Sequence, residues 1–309
     1  MLYLIAITAV VAVLGYGKPL KVIGLFAVSG LATGALYALG GIGLVVLYRA
    51  TGVLNIAYGA MGAAAAMFAW QLGQWGIFAP LTWVCGIALA LVLSLAYGRG
   101  IAPRLAFQPP VVKAVATLGA ALIILGGVNF FWVDDVRKFS LPTDTIGIQI
   151  LGLRVTATRL IVLLTAIAVV IVIQSYLKRS VRGLQMRSIA NDRALSALLG
   201  IPILRVETLA WGISGLLAGF TGLLFGDLIR LEPTVITFMV IPAIAAAICG
   251  RLENLWLVLI GGLSIGLIES LMTLSPLLKT IRPVTPFVIA VLAMLWMQRG
   301  MRLIFDEEK

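Results

Sequence analysis

Hydrophobic and polar positions along this chain alternate in blocks, not residue by residue. Ten apolar runs stand out, at about 2–17, 22–48, 53–73, 77–98, 112–133, 158–177, 206–226, 234–249, 254–275 and 284–298. Most are too long for strands and too uninterrupted for helices that keep one face in water. A helix needs about 20 apolar residues to cross a hydrocarbon core of roughly 30 Å, so blocks of this size predict membrane-spanning helices. The run at 22–48 is long and glycine-rich, and the run at 234–249 is short and contains Pro242. Both are expected to be tilted, broken or partly re-entrant. Small residues recur four apart at Gly30, Gly34 and Ala38, and again at Gly215 and Gly219. Such faces let helix backbones approach closely, and packing alone is their expected use.

Composition agrees with the block pattern. The chain is 61% hydrophobic and 11% charged, with a mean hydropathy of +1.12, against roughly 45–50% and 25% for a soluble domain. Ten spans of about 20 residues would use about 200 positions, close to the apolar content. A soluble enzyme, a disordered chain and a disulfide scaffold are excluded, and no polar stretch is long enough for a separate core. The predicted fold class is an all-α polytopic membrane protein of about ten transmembrane helices, one domain over residues 1–309. The run at 2–17 lacks a basic segment before it and a small-x-small site before Lys18, which favours a retained, short first span over a cleaved leader.

The formal charge of +11 would suggest nucleic acid on a soluble protein. Here it is better read as basic loops facing anionic lipid headgroups, with no nucleic-acid partner. The strongest basic loop holds Lys178, Arg179, Arg182, Arg187, Arg193 and Arg205 against one acid, Asp192. Placing it in the cytoplasm puts both termini there and leaves 14 of the 23 basic residues inside, although Lys18 and Lys21 then fall outside. The largest loop on the other side, about 134–157, mixes Asp134, Asp135, Arg137, Lys138, Asp144 and Arg154. It suits either contact with an extracytoplasmic partner or a simple connection.

Much chemistry is missing. There is no histidine, so serine–histidine catalysis, histidine-held metals and histidine proton relays are excluded within this chain. Cys85 and Cys249 fall inside apolar runs, which argues against a disulfide or a thiolate metal site. No metal or cofactor is expected. The phosphate-loop pattern G-x-x-x-x-G-K-[ST] fails at Gly17-Lys18, because position 12 is Ala12 and Pro19 follows the lysine. Nucleotide hydrolysis must then lie on another chain, or the protein is not ATP-driven. Glu269 is the one acid placed clearly within a span, thin support for an ion relay.

The loop from about 182 to 205 carries the most information. From 187 to 199 it predicts one short helix outside the bilayer, with Ala190, Ala194, Ala197 and Leu198 on one face. Asn191 and Asp192 near its start favour the positive end of the dipole, Gly200 stops it, and Pro202 turns the chain. A short capped helix fits a groove on a soluble partner, whereas a helix lying on lipid would carry more basic and larger apolar residues.

At Gly30-Leu-Ala-Thr-Gly-Ala-Leu-Tyr37 and Tyr48-Arg-Ala-Thr-Gly52-Val-Leu-Asn55-Ile-Ala-Tyr58-Gly59 the chain resembles branched-chain amino acid ABC transporter permeases of the LivH/LivM type. Ala190 to Ile201 is similar to that family's coupling segment, and Ile241 to Gly250 and Gly262 to Ser270 also match. Tyr58 stands where the family usually has histidine, and Asn191-Asp192 where carboxylates are often paired. The resemblance implies a bacterial inner-membrane permease of an ATP-driven importer that moves solute by alternating access. Its partners would be two ATP-binding subunits, a second permease subunit and an extracytoplasmic solute-binding protein. Arg187, Asn191, Asp192, Arg193, Ala194, Leu198, Gly200 and Ile201 are the candidate ATPase-coupling residues. Asn55, Tyr58 and Glu269 are candidates for the substrate pathway. A cap or interhelical hydrogen bond is the plainer use of Asn55, and Glu269 also suits a neutral or paired state. An ion-coupled carrier or channel, and a structural membrane protein, are the competing readings.

Overall fold

The computed structural model describes residues 19–132, 137, 147–150 and 153–298. The first apolar run, the basic residues Arg299, Arg302 and Lys309, and most of the 134–157 loop lie outside the described residues. Helices α1 (Leu20–Thr51), α2 (Tyr58–Gln74), α3 (Ala79–Gly100) and α4 (Pro110–Phe131) lead to a two-stranded antiparallel hairpin. In it β1 (Gly147–Ile150) pairs with β2 (Leu153–Thr156), Gly147 opposite Thr156. Then come α5 (Ala157–Arg179) and two short helices, α6 (Val181–Asn191) and α7 (Arg193–Leu198). The chain continues as α8 (Ile203–Leu228), the pair α9 (Pro233–Phe238) and α10 (Val240–Cys249), α11 (Leu255–Met272), the single turn α12 (Pro276–Lys279) and α13 (Thr285–Gln298).

Among the described residues six helices (α1, α3, α4, α5, α8 and α11) are long and apolar enough to cross a membrane, and α9–α10 and α13 are shorter apolar helices. The chain is a multi-pass membrane protein. Arg49, Lys178 and Arg187 meet at one end of the bundle, the basic end, and the hairpin marks the other.

Helix α1 is the axis. Its 32 residues rise about 48 Å at 1.5 Å each, more than the hydrocarbon thickness. Of the tilt, break or re-entry expected at 22–48, the break does not occur, for α1 runs unbroken. Leu36, Leu39, Ile42, Leu44 and Leu47 are fully buried, as in a helix that is apolar all round because neighbours cover every side. Its glycine stripe faces α11, which returns one of its own. A side chain at Gly34 would strike the backbone of Gly262 and Leu263, and one at Gly30 would strike Gly266 and Ser270. A second crossing joins α2 to α8, where Gly62 and Gly222 touch backbone to backbone. Without a hydrophobic drive between helices in lipid, such close approach supplies the van der Waals contact that holds them. Gly215 and Gly219 use the same device against α3, at Ser94, Ile87 and Ala90.

Two segments break the helical pattern inside the bundle. Gly52, at φ 66°, ends α1 with its N–H on the Tyr48 carbonyl. Residues 53–57 then climb back along α1, and the Tyr58 ring lies over Gly40 and Gly43. Non-helical backbone is tolerated at such depth only when protein satisfies its polar groups. Thr117 of α4 does so: its hydroxyl accepts the Ile56 N–H at 3.1 Å and lies 3.1 Å from the Leu54 carbonyl. The second break falls at Met239, between α9 and α10. Pro242 explains it, because its nitrogen cannot bond the Phe238 carbonyl and its ring crowds that oxygen. The expectation of a broken helix at 234–249 is met here.

Candidate functional site

The basic end presents a helical handle. The expected single helix over 187–199 is instead two helices meeting at Asp192, which is extended at φ −151°, ψ 108°. Each helix has its own side-chain cap. Ser180 Oγ accepts the Gly183 N–H at 2.9 Å, and Asp192 Oδ1 accepts the Leu195 N–H at 2.9 Å. A side chain that caps a new helix prefers extended backbone, so Asp192 stops α6 as it starts α7. Asn191, expected near a helix start, ends α6 instead. Gly200, at φ 77°, then reverses the chain with its N–H on Ala197 O at 3.0 Å.

The handle has a fixed back and an open front. On the back, Ser188 and Ser196 share a hydrogen bond of 2.9 Å, joining α6 to α7. Arg193 forms a two-contact ion pair with Glu207 of α8, whose side chain is nearly buried. Met186 and Ile189 root α6 in the core, and Ile201 packs against it. On the front, Leu195, Leu198 and Leu199 are 53%, 85% and 68% exposed. Of the candidate coupling residues, Asn191, Asp192, Ala194, Leu198 and Gly200 lie on the exposed side. Arg187, Arg193 and Ile201 are only partly exposed. Sequence reasoning missed Ser188, Leu195, Ser196, Leu199 and Glu207. The signal for Glu207 was an acid at the start of an apolar run, fourteen residues from an arginine in the loop.

The interior site forms around the 53–57 break. Asn55 is 1% exposed, and neither atom of its amide has a hydrogen-bond partner among the described residues. Its carbonyl accepts the Tyr58 N–H at 3.3 Å. Tyr58 is buried, with its hydroxyl 2.7 Å from the Thr221 hydroxyl of α8. Asn55 and Tyr58 therefore share one break. Glu269 is held apart from them, near the hairpin end of α11, where it accepts the Tyr37 hydroxyl at 2.8 Å and lies 3.9 Å from Arg282. Tyr37 packs near Phe225, one helical turn from Thr221 on α8, so the two sites occupy neighbouring layers. Among the described residues no three of His, Cys, Asp or Glu gather to hold a metal ion.

The chain is similar in sequence to known proteins over most of its length. The branched-chain amino acid transport permease LivH of Salmonella typhimurium is 25% identical over 291 residues, covering 88% of this chain and 92% of that protein. BraD of Pseudomonas aeruginosa, a permease of the same description, is 24% identical over 260 residues, 79% of this chain and 84% of that protein. A chain of PsaBC from Streptococcus pneumoniae, solved in complex with Fab, has a TM-score of 0.47 at 13% identity, covering 91% of this chain and 93% of that one. A family model described as the permease component of the branched-chain amino acid transport system matches residues 26–301, and the chain belongs to that family.

Proposed function

We propose that this chain is the transmembrane permease subunit of an ATP-driven ABC importer for branched-chain or other amino acids. In this reading the basic end faces the cytoplasm, as the excess of lysine and arginine favours. The 2–17 run completes about ten spans, and both termini are cytoplasmic in a bacterial inner membrane. Two ATP-binding subunits carry the hydrolysis and grip α6–α7. A second permease subunit completes the pathway, and a solute-binding protein delivers cargo at the hairpin end.

The observation that carries this reading is the handle, with three leucines exposed on the front and an ion pair and a serine–serine bond behind. An apolar front on a rooted helix suits a groove that must be both gripped and moved. Closure of the ATPase dimer would displace α7. Arg193–Glu207 would pass that displacement to α8, and the Gly62–Gly222 contact would pass it to α2. The breaks at 53–57 and Met239 are where helices can change angle without unfolding. On this pathway Asn55 offers an unpartnered amide to a polar group of the solute, and Tyr58 forms the wall beside it. For Glu269 to meet the ammonium of an amino acid, it would exchange the bond it accepts from Tyr37.

Reconstitution into liposomes with its ATPase subunits, partner permease and binding protein tests the proposal. Leucine uptake is expected only with ATP and with all subunits present. Uptake that persists without the ATPase would assign the chain to the ion-coupled carriers or channels.

A further inference from the structure

A hollow lies at the basic end, apart from both the Asn55 break and the exposed leucines. It is a cavity of about 280 Å³ lined by Arg49 of α1, Gln174, Leu177 and Lys178 of α5, Arg187 of α6, and Glu253 and Asn254 before α11. Three cations face one carboxylate, an excess of two positive charges. Arg49 is steadied by donating to the Glu253 carbonyl at 3.2 Å. Two buried polar atoms have no partner among the described residues, the Arg187 Nε–H donor and the Gln174 Oε1 acceptor. Buried polar groups are nearly always partnered. A lone donor among cations, beside a lone acceptor, matches an anion that also carries a hydroxyl.

The surroundings give the ligand's other half. On α5, Leu164 and Ile171 are 65% and 49% exposed, and they lie seven residues apart in register with Lys178. Residues at that spacing share a helix face, so an apolar stripe runs down α5 to the mouth of a basic cavity. Basic pockets between helices at a membrane surface are suited to anionic lipid headgroups, and guanidinium pairs match the oxygens of a phosphate.

We infer that this cavity binds the phosphate of an anionic phospholipid headgroup, with an acyl chain along the Leu164–Ile171 stripe. Arg49 and Arg187 take the phosphate oxygens, Lys178 closes the mouth, and a headgroup hydroxyl donates to Gln174. The lipid then bridges α1, α5 and α6, tying the root of the handle to the axis helix. The site depends neither on the transport proposal nor on which leaflet the basic end occupies.

Native mass spectrometry of the full chain in detergent tests the inference, with phosphatidylglycerol and phosphatidylcholine as probes and inorganic phosphate as the soluble arm. Phosphatidylglycerol is expected to be retained preferentially, and Lys178→Gln to weaken its retention about fivefold. Arg49→Gln should weaken it further. Lys178 is exposed at a helix end, so its variant keeps the fold if Arg49→Gln does not. Equal retention of the two lipids, or retention unchanged in Lys178→Gln, overturns the proposal. Inorganic phosphate stabilising the wild type but not the variant, with no lipid preference, would assign the anion to solution and overturn the lipid source.

Discussion

Glycine does opposite work in the core and in the handle. At the α2–α8 crossing Gly222 has ordinary helical backbone and no room, since a methyl there would enter the backbone of Gly62. At the end of α7 Gly200 has open space around it and a backbone angle, φ 77°, that side chains resist. The core is held by proximity, and the handle is shaped by a turn. The core therefore tolerates no added volume, whereas the handle tolerates volume but not a different turn. The proposed coupling role would use both, a body that moves as one piece and a grip that keeps its shape in the open.

The contrast is broken most strongly by Gly222→Leu. Four added carbons at a backbone-to-backbone contact force the helices apart, and the cost is expected to exceed about 3 kcal/mol, beyond the usual range for overpacking. Yield of folded protein in detergent, and its thermal midpoint, should collapse. A midpoint within a few degrees of wild type would show that the crossing is looser than it looks. Glu207→Gln comes next. It leaves the Arg193 guanidinium facing a neutral amide, and breaking a buried pair costs about 3–5 kcal/mol. Arg193 is 27% exposed, so water recovers part of that, and about 2 kcal/mol is expected. The loss should appear as faster proteolysis between residues 191 and 203, with the rest of the bundle intact.

Two substitutions test the turn half of the comparison, with opposite signs. Gly200→Ala places a side chain in left-handed backbone at a cost of about 1–2 kcal/mol. It regains about 0.5–1 kcal/mol from the stiffer unfolded chain, for a net loss of about 0.5–1 kcal/mol. Arg251 is the mirror case. With Leu252 it holds φ near 55° without being glycine, in the turn that leads to the Asn254 cap of α11, and its side chain is exposed. Arg251→Gly should therefore raise the thermal midpoint by a net equivalent of about 0.5–1 kcal/mol. A lowered midpoint would mean that the exposed Arg251 side chain contributes more than its backbone strain costs.

Most of the helices were legible because lipid makes the rule simple, and apolar blocks of about 20 residues have few other uses. The kink at Met239 followed from Pro242. The family followed from ordered segments near Tyr37, Asn55, Ala190 and Gly262. What stayed hidden depends on who faces whom. Gly30 and Gly34 show a close-packing face, but nothing local says that Gly262 and Gly266 supply the other side. Thr117 reads as one polar residue in an apolar run, and only the fold reveals that it serves the break at 53–57. Asp192 carries a capping signal, but the apolar face continues through it, so the pattern alone predicts one helix. Glu269 is visible as a buried acid, but Tyr37, its partner, lies 232 positions away.

The smallest effect on stability belongs to the front of the handle, and it sharpens the comparison most. Leu198 is 85% exposed, so Leu198→Ser removes almost no buried apolar surface, and the thermal midpoint should move by no more than about 0.5 kcal/mol in equivalent. In the assembled transporter the same leucine is proposed to fill a groove on an ATP-binding subunit. Burying a leucine is worth about 1.5–3 kcal/mol, so the variant should bind that subunit roughly 10- to 100-fold more weakly. The measurement is a pull-down titration alongside a melt of the permease alone. An unchanged melt with lost binding separates the grip from the body, as the two glycines do. An unchanged melt with unchanged binding would mean that the leucine front meets something other than the motor.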